Sequence, residues 1–75
     1  MEYKFDYEGK LANVVKTADS RIFTMQDGVY FELTDDEYKE GVELAQFAPR
    51  KGTMVRGFII IKNGEEVGYT FRFVR

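Results

Sequence analysis

Asn63-Gly64, set between the apolar runs "TMVRGFIIIK" and "EEVGYTFRFVR", constrains this chain more than any other pair of residues. Both central residues of a type I′ turn need φ > 0, which Asn and Gly accept, so the pair marks a two-residue β-hairpin. Counting outward from the turn sets Lys62 opposite Glu65 and brings Arg56 near Phe71 and Arg72. In the last strand Val67, Tyr69, Phe71 and Phe73 share one face. The strand before it is apolar on both sides midway, as a strand crossing the centre of a closed barrel is.

The material for a core is limited. A 75-residue chain buries roughly 60% of the surface its unfolded form exposes, and domains this small often lean on disulfides or a metal. With no Cys and no His, neither support is expected here. Twelve aromatic residues, seven Phe and five Tyr, must supply the packing instead. Large rings bury about 150–250 Å² each, which suits a small barrel with few core positions.

Upstream, "EYKFDY" alternates Tyr3, Phe5 and Tyr7 with Glu2, Lys4 and Asp6, the period of a half-buried strand. Gly9 permits a bend or bulge before a second run, "KLANVVKTA". "DSR" then turns the chain into "RIFTM", and "QDG" turns it into "VYFEL". At 34–37, "TDDE" matches a capping box, with Thr34 as N-cap and Glu37 reaching back. Asp35 and Asp36 fall in the first turn, where they meet the positive end of the helix dipole. Tyr38, Val42 and Ala45 lie on one helical face, and Gly41 weakens the helix by about 1 kcal/mol relative to Ala. Residues 42–48 also fit an extended strand, and Pro49 ends the segment.

Three strands, a helix and two strands are the elements of an OB-fold, a five-stranded Greek-key barrel. The expected fold is therefore mainly β: one domain spanning 1–75, a five-stranded OB-like barrel with one short helix between strands three and four. "EYKFDY" is a candidate extra N-terminal strand. An SH3-like barrel is the main competitor, but it lacks a capped helix at that point.

The net charge of −2 hides an asymmetry: residues 1–49 hold eleven acids and five bases, whereas 50–75 hold six bases and two acids. The distribution of charge is the electrostatic footprint to read. No signal-peptide pattern opens the chain, and Phe58-Ile59-Ile60-Ile61 is far short of the ~20 apolar residues that span a bilayer. A cytoplasmic protein without a membrane partner is the expectation. Catalysis has little to work with: the usual base and thiol nucleophile are missing, and Ser20 is the one serine, in a turn. Neither an enzyme nor a cofactor is expected. Helix capping accounts for the acidic run Asp35, Asp36, Glu37 and Glu40 better than a hard-cation site does.

The segments "LANVV…RIFTMQDGVYFELTDDE…KGTMVRGFIIIKNGEEVGYTF" resemble an S-one-like OB domain of the conserved virulence factor B family of bacterial RNA-binding proteins. The shared features are a strand leading to a DG hairpin, "FEL" running into an acidic helix start, Gly52 ahead of Val55, "GF" at 57–58, and Thr70 in the last strand. The resemblance spans roughly residues 11–73 and implies an RNA-binding barrel.

OB barrels bind single strands on the face of strands two and three, with bases stacking on aromatics and phosphates tracked by basic residues. The candidate nucleic-acid contacts are therefore Arg21, Phe23, Tyr30, Arg56 and Arg72, and the candidate partner is single-stranded RNA. The bland alternative makes Phe23 core and the arginines a solvated face. The functional alternative is a protein-interaction module that uses the acidic half, or an edge strand such as "EYKFDY", to hold a protein partner.

Overall fold

The computed structural model describes all residues 1–75. Its elements are β1 (Glu2–Lys16), β2 (Ser20–Met25), β3 (Tyr30–Thr34), α1 (Asp35–Ala45), β4 (Met54–Lys62) and β5 (Glu65–Val74). The five strands form one antiparallel sheet in the order β3-β2-β1-β4-β5. Mainly β with one helix between β3 and β4 is therefore the architecture.

The turns form where their residue types demand. Asn63 and Gly64 have φ of 53° and 79°, and Lys62 pairs with Glu65. The "QDG" turn closes with Met25 N donating to Val29 O at 2.7 Å, while Gly28 takes φ 91°. In α1, Thr34 Oγ1 accepts from Glu37 N at 3.1 Å and Thr34 N donates to Glu37 Oε1 at 2.9 Å. The helical option wins for residues 42–45, and the helix stops before Pro49: Gln46 adopts a left-handed φ of 64° and donates to Val42 O.

Two expectations are corrected. "EYKFDY" is not a separate strand. It is the first half of a 15-residue β1 that passes through Gly9 without a break. The first half of β1 pairs with β4 and the second half with β2, with a register irregularity between Leu11 and Asn13. One strand thus serves two ladders.

The second correction concerns closure. β3 and β5 are the margins of the sheet, and no ladder joins them. Rings from the two ends of the sheet meet in and against the core. Phe31 meets Phe71 at 5.0 Å and Tyr69 at 6.2 Å between centroids, and Phe23 stacks on Phe73 at 5.6 Å. No Cα of β3 comes within 8 Å of one in β5, well beyond the spacing of about 4.8 Å between paired strands. The sheet is curled but open, with α1 packed against β5, β3 and β2.

The core is Leu11, Phe23, Met25, Leu33, Val55, Phe71 and Phe73, with Tyr38, Val42 and Ala45 of the helix packed against it. Gly41 is the one buried helical residue, because the Phe73 ring lies on it.

Candidate nucleic-acid interface

Two bulges decide which side chains share a face. In β1, Tyr7 pairs with Gly57 but Phe5 pairs with Phe58, so Asp6 is the extra residue. Side chains alternate across a strand, and one inserted residue reverses the alternation beyond it. Tyr7 therefore points into the core, while Tyr3 and Phe5 emerge on the opposite side beside Ile60 and Phe58. The single face expected for Tyr3, Phe5 and Tyr7 in "EYKFDY" is thus corrected: Tyr3 and Phe5 keep it, and Tyr7 leaves it. In β5 the register shifts beside Ile60 and Ile61. That shift sets Arg56 directly opposite Arg72 instead of opposite Phe71.

The outer face of β1, β4 and β5 consequently carries rows of side chains about 7 Å apart along the strands. One row is Glu8, Arg56 and Arg72; the next holds Phe5, Phe58 and Thr70; the next holds Tyr3, Ile60 and Gly68. Tyr3 and Phe5 are 54% and 57% exposed, a large apolar area to leave in water. Phe5 meets Phe58 edge-on at 5.9 Å.

The two arginines differ. Arg56 Nε donates to Glu8 Oε1 at 2.7 Å, so a carboxylate eases the cross-strand repulsion. Arg72 donates only to neutral oxygens, Thr70 Oγ1 at 2.7 Å and the Phe71 carbonyl at 2.9 Å, and sits 5.9 Å from the Tyr3 ring centre. It belongs to no ion pair, although Glu37 and Glu40 line the same hollow as Arg72 and Tyr3.

The other expected contacts do not join them. Phe23 is fully buried in the core, so its ring cannot stack on a base. Arg21 lies over the Tyr38 ring at 3.9 Å and donates to Asp35 Oδ1 at 3.2 Å, at the helix end of the core. Tyr30 is 73% exposed on β3, none of whose Cα atoms comes within 8 Å of β4 or β5, the strands that carry Arg56 and Arg72. Arg56 and Arg72 are brought together; Arg21, Phe23 and Tyr30 are scattered. Tyr3 and Phe5 share a face by alternation alone, but that it is the outer face, beside Phe58, depends on the Asp6 bulge and the pairing with β4. The acidic run is engaged in part: Asp35 pairs with Lys16 and Arg21, and Glu37 caps the helix.

Inside the mouth of the curl, Tyr7 donates to Asp27 Oδ2 at 2.8 Å and Tyr69 to Asp6 Oδ2 at 2.7 Å. Burial first, then the hydrogen bond and negative charge of Asp27, push the Tyr7 phenol up to about 12. Burial, with Asp6 adding to it, pushes Tyr69 higher still. These phenols are donors that tie the bulged Asp6 and the β2–β3 turn to the core.

Compared with family models, with curated proteins and with solved structures, the chain finds no match. No helix is long and apolar enough to cross a membrane.

Proposed function

We propose that the chain binds single-stranded nucleic acid, weakly and with little sequence preference, on the outer face of β1, β4 and β5. One observation carries this: exposed Tyr3 and Phe5, with Phe58, lie in rows beside the cross-strand pair Arg56–Arg72. Rings that offer a π-face stack on any base, and adjacent guanidinium groups follow the phosphates. Five strands with a helix after the third are the elements of an OB-type barrel, here left open between β3 and β5. The face differs from the strand-two and strand-three surface usual for that fold. RNA rather than DNA rests on the sequence resemblance alone.

The test is fluorescence anisotropy with a labelled polypyrimidine 12-mer at ~50 mM salt. Stacking is worth about 1–3 kcal/mol per base, so Phe5→Ala weakens binding roughly 5- to 150-fold. Its ring is more than half exposed, so the fold survives the change. Wild-type binding no tighter than ~1 mM, or a Phe5→Ala variant that binds like wild type, refutes the proposal.

A protein-interaction role has its own observation. No strand pairs with the outer edge of β1 before Leu11, so residues 2–9 offer an unpaired backbone edge beside Tyr3 and Phe5. A partner retained from lysate after nuclease treatment, and lost on Phe5→Pro, favours this role over the first.

A further inference from the structure

Beyond the Glu8–Arg56–Arg72 row, two residues further along the same face, stand Lys10, Met54 and Val74. They form one wall of a groove of about 750 Å³, whose other wall is the segment from Phe47 to Thr53. That volume lies within the range of pockets that hold small ligands. Four cationic side chains line it, Lys10, Arg50, Lys51 and Arg75, and no Asp or Glu does. None of the four belongs to an ion pair; the three ion pairs of the protein use Lys16, Arg21 and Arg56. In a chain of net charge −2, four cations gathered without a carboxylate are a departure from the surrounding surface.

The groove is also held in shape. Arg50 N donates to Thr53 Oγ1 at 3.0 Å and Thr53 N donates to the Arg50 carbonyl at 2.9 Å, closing a tight turn. Gly52 N donates to the Leu11 carbonyl and Leu11 N to the Thr53 carbonyl, each at 2.8 Å, pinning that turn to β1. Gly52 takes a φ of 91°, which favours glycine. Thr53 and Pro49 are buried. The guanidinium of Arg75 lies 4.8 Å from the Phe47 ring centre. Like charges held close on a fixed turn repel one another unless an anion lies between them, and a fixed frame lowers the ordering cost of binding one.

We infer that this groove is a phosphate-binding site, formed by Lys10, Arg50, Lys51 and Arg75. For its source of phosphate we rest on the function proposed above: the groove takes the backbone of a strand whose bases lie along Tyr3, Phe5 and Phe58. In this arrangement the groove adds to the salt dependence that Arg56 and Arg72 contribute, and the aromatic rows supply the salt-independent part.

Two measurements test it, and they fail separately. In the first, tripolyphosphate is titrated against the labelled protein by amide NMR. Saturable shifts at Lys51, Gly52 and Thr53, abolished in Arg50→Gln/Lys51→Gln, are expected. Amides that do not move overturn the groove, even if an oligonucleotide binds the aromatic face. In the second, oligonucleotide affinity is measured against salt. Each phosphate contact contributes about 0.7 to the log–log slope for a single strand, so the double variant lowers the slope by about 1.4. With the two lines meeting near 1 M, that is on the order of 50-fold weaker binding at ~50 mM salt. An unchanged slope in a variant that still binds the strand removes the groove from the strand's path and overturns the inference. Tripolyphosphate that binds while no oligonucleotide does sinks the proposed function and leaves the groove as a site for a free phosphoanion.

Discussion

Gly41→Ala separates local propensity from packing. In an exposed helix interior this change stabilises by about 0.8–1.0 kcal/mol, because glycine loses more backbone freedom on folding. Here a Cβ on residue 41 falls 2.7 Å from Cε2 and 3.0 Å from Cζ of Phe73. The ring has nowhere to go: Phe73 is 5% exposed, stacked on Phe23 at 5.6 Å and flanked by Tyr38 at 6.3 Å. Overpacking a filled core costs about 1–3 kcal/mol. The two effects combine to a net loss between about zero and 2 kcal/mol, the opposite sign to the helix scale. For a domain of this length each 1 kcal/mol moves Tm by about 4–8 °C. Urea denaturation read by circular dichroism measures it. In a Phe73→Leu background the same change regains its helical benefit, a coupling of about 1–3 kcal/mol. A Gly41→Ala single variant stabilised by about 1 kcal/mol would refute the packing argument.

Two further outcomes follow from the local geometry. Thr34→Ala removes the capping-box acceptor of the Glu37 amide and costs about 1 kcal/mol, whereas Thr34→Ser retains most of it. Equal urea midpoints for the Ala and wild-type chains would show that the cap contributes nothing. The raised phenols of Tyr7 and Tyr69 make stability fall in alkali. The unfolded chain loses these protons near pH 10, the folded chain later. The contribution is therefore complete below pH 10 and lost as pH rises from 10 toward 12 and beyond. Urea midpoints from pH 8 to 11.5 should drop more steeply for wild type than for Tyr7→Phe/Tyr69→Phe; parallel curves contradict the assignment.

Local signals in the sequence determined the elements of this protein. Asn63-Gly64 specified its turn because φ > 0 excludes most residues, and the Thr34…Glu37 spacing specified the helix start because both partners lie within one turn. The C-terminal excess of cations was legible from the order of residues. Faces were not. The bulged Asp6 and the shifted register of β5 place Tyr3 and Phe5 outside and Arg56 against Arg72, and no periodicity in "EYKFDY" announces an inserted residue. Phe23 and Phe5 look alike in sequence, each an aromatic in an alternating strand, yet one is core and the other stands in water. Whether the margins of the sheet close was likewise decided by tertiary packing: rings from β2, β3 and β5 meet in the core and α1 packs against both margins, while β3 and β5 themselves stay beyond hydrogen-bond reach. A side chain's type is fixed by the gene, but which way it points depends on the register of strands far apart in the chain.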